Sequence, residues 1–169
     1  MKKILETERT YLREMTPDDA QNAYELNSDP LVIQYTGDEA FESVDEARTF
    51  LSKYDHYEKY GFGRWAVISK ETNEYLGWCG LKYSADEDEF DIGFRFHQRF
   101  WNKGFASETA RACIQIGFEK FNMETIVGRA MKENLASIRV LEKCGLTFVS
   151  DYQFDDEEGV IYSIKKTTD

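Results

Sequence analysis

The chain has 169 residues, and 21 Lys and Arg against 32 Asp and Glu give it a formal charge of −11. That length holds one ordinary domain with little room for a second core, and that charge repels a nucleic-acid backbone. With 3 Trp, 10 Tyr and 12 Phe in a composition that is 41% hydrophobic, the chain can fill a core, which excludes a disordered acidic polymer.

No apolar run approaches the roughly 20 residues that cross a bilayer, and MKKILETERT has no hydrophobic stretch behind its basic start. The expectation is a cytoplasmic protein that engages neither membrane nor nucleic acid. Cys79, Cys113 and Cys144 are odd in number and set in apolar surroundings, so they read as reduced core thiols. Only Pro17 and Pro30 occur, and no Ser/Gly-rich linker interrupts the sequence, so residues 1–169 read as a single domain.

In chain order, Thr10 to Met15 alternates as a strand, and Thr16 caps a following helix with Pro17 at its first position and acids in its first turn. That helix ends near Asn27. Asp29-Pro30 breaks the chain, and Leu31 to Phe41 reads as a loop or short irregular helix. Ser43, with Glu46 three residues on, starts an amphipathic helix that runs to about Tyr60 and stops at Gly61.

The period then changes to two. Trp65 to Ile68, Tyr75 to Tyr83 and Phe90 to Phe96 read as three strands, and their short connections imply an antiparallel meander. A helix over Gly104 to Phe121 follows, then a strand at Thr125 to Ala130, a helix from Asn134 to Cys144 stopped by Gly145, and strands at Leu146 to Tyr152 and Val160 to Lys165. The order β-α-α-β-β-β-α-β-α-β-β predicts an α/β (α+β) domain, a mixed and mostly antiparallel central sheet flanked by helices.

Two stretches carry chemistry. In Phe90-Asp91-Ile92-Gly93-Phe94-Arg95-Phe96 followed by His97 to Glu108, a buried strand delivers the chain to a turn at Gly104 and a long helix begins there. The first amides of a helix lack internal partners and carry partial positive charge, Gly104 permits close backbone approach, and Arg99 and Lys103 add cations. A diphosphate fits such a cradle, and an ordinary helix start behind a tight turn accounts for the same residues. In the second stretch, Asn134 stands at a helix cap with Ser137 one turn on.

Together the stretches reach a family. Trp101-Asn102-Lys103-Gly104-Phe105-Ala106-Ser107-Glu108 resembles the coenzyme A pyrophosphate loop of the GCN5-related N-acetyltransferase (GNAT) superfamily, Arg/Gln-x-x-Gly-x-Gly/Ala. Asn134-x-x-Ser137-x-x-Val140-Leu141-Glu142-Lys143-Cys144-Gly145-Leu146-x-Phe148 resembles the motif that follows it. Ile92-Gly93-Phe94 and Ser28-Asp29-Pro30-Leu31-Val32 are most similar to the branch of ribosomal-protein N-terminal acetyltransferases, and the similarity spans nearly the whole chain.

The resemblance implies acetyl transfer from acetyl-CoA to a primary amine, a protein N-terminus or a small amine, by direct attack in a ternary complex without a metal. Backbone amides of Lys103, Gly104, Phe105, Ala106 and Ser107 would hold the pyrophosphate. The strand edge at Phe94, Arg95 and Phe96 would pair with the pantetheine arm, Asn134 would bond the arm from the other side, and Arg99, Lys103 and Arg139 would meet the adenosine phosphates.

Two departures stand out: Trp101 replaces the Arg/Gln, and Leu141 stands where many members carry a Tyr as thiolate acid. Ser137 becomes the candidate acid, with a hydrogen bond inside its own helix turn as the plain alternative. Asp91 is the candidate base, with a solvated strand acid or a water chain as the alternatives.

Tyr35, Trp65 and Trp78 are candidate acceptor walls, and core packing accounts equally for both Trp. Glu108 reads as a partner of the helix dipole and His97 as a surface residue. The −11 charge favours a cationic acceptor. Dimers are common in that branch, so a homodimer is one expected state. A coenzyme sensor or interaction module without turnover is the alternative function.

Overall fold

Thr16 opens the first helical segment as its sequence predicts. Its Oγ accepts from Asp18 N–H (3.2 Å), and Asp19 Oδ2 accepts from Thr16 N–H (2.9 Å), so two amides with no partner inside the helix are satisfied reciprocally. A single 3-10 turn, Pro17–Asp19, then runs into α1 (Ala20–Ser28). The computed structural model describes residues 2–167, and within them two strands precede this cap. One is β2 (Thr10–Glu14), as expected; the other is β1 (Lys3–Glu6), which pairs antiparallel with it. Four residues with exposed ends carry too little alternation to show β1 in the sequence.

Asp29 caps the short α2 (Pro30–Ile33) by accepting from Leu31 N–H (2.9 Å), and Ser43 caps α3 (Val44–Lys53) by accepting from Glu46 N–H (3.1 Å). The helix expected to continue to about Tyr60 breaks at Tyr54, whose backbone is extended, and restarts as α4 (His56–Tyr60). The break serves tertiary bonds. Tyr54 Oη accepts from Arg64 N–H (2.9 Å), and Tyr57 Oη accepts from Met15 N–H (3.0 Å) while donating to the Arg64 carbonyl. Two phenols thereby anchor the helices to the first residue of β3 (Arg64–Ser69), and these bonds outweigh helical periodicity.

The meander follows as read: β3, β4 (Tyr75–Ser84) and β5 (Glu89–Phe96). After it come α5 (Phe105–Glu119), β6 (Thr125–Met131), α6 (Leu135–Lys143), β7 (Thr147–Gln153) and β8 (Glu158–Lys165). The eight strands form one sheet in the order β1-β2-β3-β4-β5-β6-β8-β7. Every pairing is antiparallel except β5 with β6, which run parallel.

Alternation along β3 sorts the two faces. Trp65 and Val67 join Cys79, Leu81, Ile92 and Ile126 beneath α5, while Ala66 and Ile68 pack with Leu26 and Val32 of α1 and α2. Cys79 and Cys113 are buried free thiols with their sulfurs 3.8 Å apart in that first layer. No helix among the described residues is long and apolar enough to cross a membrane.

Two histidines are drawn inward. His56 Nε2 accepts from Tyr83 N–H (3.0 Å), and His97, expected at the surface, is buried against Tyr75 and Phe100. The reason is the chain path: His97 N–H extends the β4–β5 pairing onto Leu76 O (3.0 Å) one residue beyond the end of β5. Burial first, then Arg64 and Lys82, hold the His56 imidazole below its ordinary value against the opposing pull of Asp55 and Asp91. Burial and then Arg99 do the same to His97, against Glu25 and Asp29.

Each ring therefore binds a proton less readily folded than unfolded. Its contribution to stability is complete above the unfolded value of 6.5 and is lost as pH falls from there through the lowered folded value. The melting temperature should drop on acidification from about pH 7.5 to about pH 5.5. His56→Gln keeps an acceptor for Tyr83 N–H without a titrating ring and should shrink that drop in a pH series of thermal melts; an undiminished drop would clear His56 of the role.

Candidate active site

The parallel pair is short. β5 and β6 are in register only at Phe90 with Ile126 and Asp91 with Val127, and beyond Asp91 they diverge. From Phe94 to Phe96 the edge of β5 that faced β6 lines a cleft of about 400 Å³. The α2 segment from Leu31 to Thr36 walls one side, and Gly104 to Ser107 and Asn134 to Lys143 contribute the others. A ladder interrupted inside a sheet leaves N–H and C=O groups that need a partner from outside the sheet.

At the far end of the cleft, Gly104 takes a left-handed φ of 83° and starts α5. The first helical bond is Glu108 N–H to Gly104 O (3.0 Å), so among the described residues the amides of Phe105, Ala106 and Ser107 have no backbone acceptor. Trp101 holds this turn in place: its indole N–H donates to Phe96 O (2.9 Å), tying the loop to the end of β5. Glu108 fastens the helix from outside, accepting from Thr7 Oγ1 (2.6 Å), Arg9 N–H (3.0 Å) and Arg9 Nε (2.8 Å). Burial pulls its carboxyl up, but those hydrogen bonds and the Arg9 charge together bring it below the ordinary value.

On the opposite wall Asn134 caps α6, its Oδ1 accepting from Ser137 N–H (3.3 Å). Ser137 Oγ, by contrast, makes no protein hydrogen bond among the described residues, so the expected alternative of a bond inside its helix turn is not formed. A hydroxyl and an amide thus face a gap between two strands, with a row of unpaired N–H groups beyond them.

The same fold is found in known proteins. Residues 9–147 match the sequence model of the acetyltransferase (GNAT) domain. The chain belongs to the GNAT acetyltransferase family. It is 34% identical over 139 residues, 81% of this chain and 78% of the relative, to the uncharacterized N-acetyltransferase p20 of Bacillus licheniformis. Among solved structures it is similar to a GNAT-family acetyltransferase from Bacillus anthracis, with a TM-score of 0.84, 26% identity and coverage of 95% of this chain and 97% of that one. It shares its fold with the ribosomal-protein-S5-alanine acetyltransferase of Vibrio fischeri, at a TM-score of 0.79, 16% identity and coverage of 95% of each chain.

The acetyltransferase cleft gathers most of the residues expected at the coenzyme site: Phe94, Arg95, Phe96, Gly104, Phe105, Ala106, Ser107, Asn134 and Arg139 all line it, as do Ser137 and Tyr35. The Arg95 guanidinium is engaged by Asn27 Oδ1 and Asp38 Oδ2, each at 2.8 Å.

Other expected residues lie elsewhere. Arg99 sits in a separate open depression with Glu25, Asp29 and His97, and Lys103 is exposed outside the cleft lining. Asp91 is outside the lining too, its Oδ1 held by Arg64 Nη2 (2.7 Å). Trp65 is fully buried in the core and offers no wall to an acceptor. Trp78 is away from the cleft, with the Arg64 and Arg95 guanidinia 5.5 Å and 5.3 Å from its ring centre.

Sequence reasoning missed Lys143, one turn beyond Arg139 on the cleft side of α6, and the wall side chains Leu31, Val32, Gln34 and Thr36. The four-residue spacing of Arg139 and Lys143 is a readable signal; the path of the segment after α2 is not.

Gly104→Glu should cost about 1 kcal/mol for a non-glycine residue at left-handed φ, and it would set a carboxylate beside the unpaired amides. Coenzyme A affinity measured by calorimetry should fall more than about tenfold. Retained affinity would place the anion site elsewhere.

Proposed function

We propose that this acetyltransferase moves the acetyl group of acetyl-CoA to a primary amine, a protein N-terminus or a small amine, by direct attack within a ternary complex. One observation carries the reading: the edge of β5 at Phe94 to Phe96 that β6 does not cover and the amides of Phe105 to Ser107 that lack a backbone acceptor line a single continuous cleft, with Asn134 and Ser137 across from them. An amide-rich arm ending in a diphosphate matches that sequence of donors and acceptors along its length. The arm completes the interrupted sheet as an added strand. Asn134 bonds it from α6, and the diphosphate takes the helix N-terminus with Arg139 and Lys143 nearby.

The arm so held presents its thioester at the gap between β5 and β6. The amine nitrogen attacks the carbonyl carbon, and a free backbone N–H of the β5 edge meets the charge that develops on oxygen. The carbon–sulfur bond then breaks, and the thiolate takes a proton through the Ser137 hydroxyl. Asp91 is committed to Arg64, so the proton lost by the amine passes to water in the cleft. The acceptor enters over Leu31, Val32, Gln34, Tyr35 and Thr36, and the −11 charge steers cationic amines toward the protein.

A sensor without turnover is the second reading. It is favoured by Leu141, which stands in place of the usual Tyr and is buried against β6, with its Cδ2 only 2.6 Å from where a Cβ at Gly128 would sit.

Thermal melts with acetyl-CoA and assays of free thiol against a panel of amines separate the outcomes. An enzyme gives a raised melting temperature and amine-dependent thiol release. A sensor gives the first alone, and the absence of both responses refutes coenzyme binding. Ser137→Ala should lower kcat by about a hundredfold, at the modest end of general acid catalysis, with coenzyme affinity retained. Unchanged kcat would assign the thiolate's proton to water.

A further inference from the structure

We infer that Arg9, on the turn between β1 and β2, is the cation that closes the diphosphate cradle and replaces the guanidinium that Trp101 does not supply. The inference rests on the coenzyme reading above and adds to it a residue from a part of the chain distant from both sequence motifs. Arg9 is carried to α5 by the pairing of β1 with β2 and held there by three contacts. Its backbone N–H and its Nε donate to the two oxygens of Glu108, at 3.0 Å and 2.8 Å, and its guanidinium lies over the Phe105 ring, 4.0 Å from the ring centre. Nη2 comes within 3.4 Å of where a Cβ on Gly104 would be.

The guanidinium is therefore fixed in plane and position beside the first residues of the helix, and only one of its five N–H donors is spent. Among the described residues neither Nη group has a protein partner, and the side chain is 41% exposed. Arg9 is outside the cleft lining but adjoins two residues that line it, Gly104 and Phe105, so a planar fork with two open nitrogens there suits a phosphate oxygen pair at the cleft rim. Trp101, at the loop position where the family has Arg or Gln, spends its one donor on Phe96 O and has none left for a phosphate. In a chain of charge −11, a fixed local cation also offsets the field that opposes an anionic coenzyme.

The test compares wild type, Arg9→Gln and Arg9→Lys by calorimetry with coenzyme A and with dephospho-coenzyme A, which lacks the 3′-phosphate but keeps the diphosphate. Turnover of acetyl-CoA relative to S-acetyl-pantetheine, which has no diphosphate, is measured alongside. Arg9→Gln should weaken binding of both coenzymes about tenfold, flatten the salt dependence of binding and reduce the preference for acetyl-CoA over S-acetyl-pantetheine by a similar factor. Arg9→Lys, with its charge but no fork, should fall between.

The proposal is overturned by affinity within twofold of wild type, by a loss confined to the coenzyme with a 3′-phosphate, or by a loss of turnover equal for both thioesters. The last result would mark a merely structural brace. Where Arg9→Gln melts too low to assay, Arg9→Lys keeps a donor for Glu108 and carries the comparison. Failure of the wild-type protein to bind coenzyme A would refute the proposed function instead, and the two failures are distinguishable.

Discussion

The architecture turns on where β6 finds its hydrogen bonds. Thr125 to Met131 pair continuously with Gly159 to Lys165 of β8, whereas only two positions of β6 are in register with β5. β6 therefore travels with the C-terminal hairpin, and β5 travels with the meander, to which it is paired from Glu89 to Phe96. Two rigid ladders diverge from a common seam, and the backbone groups between them have no strand to satisfy them. Such an edge inside a sheet is a liability unless water or a ligand fills it. The cleft is thus a product of sheet geometry rather than of a loop that moves aside.

Fixing a helix N-terminus at the end of that gap requires bracing from several directions. Trp101 ties the preceding loop to β5, Glu108 ties the first turn to β1–β2, and the Arg111 guanidinium donates to Lys143 O at the end of α6. None of these ties uses the amides of Phe105, Ala106 or Ser107, so the donors stay free while their positions are set. For the proposed anion site this is preorganisation in the physical sense: its ordering cost is met on folding rather than on binding.

The motifs that sequence reasoning found were those whose chemistry is local. A Thr16 cap, a Ser43 cap, a glycine stop at Gly61 and an Asn134 cap depend on a few neighbouring residues, and each forms as its spacing predicts. The expectations that fared worse depended on distant partners. The helix break at Tyr54 depends on Arg64, and the burial of His97 depends on Leu76. The period-two pattern placed Trp65 and Trp78 in strands but could not say which face of each strand met a helix. Trp65 lies opposite Cys79 under α5, whereas Trp78 lies opposite Ala66 on the other face of the sheet. Asp91 likewise stands on the strand as read, and only the fold shows Arg64 lying across Gly93 to take its carboxylate.

A division of labour follows from these placements. On the proposed reading, the coenzyme side of the cleft is built mainly from backbone, which any sequence of suitable size presents equally, with glycine demanded only where φ is positive at residue 104. The acceptor side on that reading is built from side chains of Leu31 to Thr36, in α2 and the turn after it, and this segment is flanked by Asn27 and Asp38, which Arg95 reaches from β5. Because Arg95 is only 11% exposed and its charge is met by Asp38, it organises the wall without itself presenting a free cation to an amine. If the proposed reading holds, changes at residues 31–36 alter the acceptor wall while the strand edge and the helix start, being main-chain geometry, stay fixed.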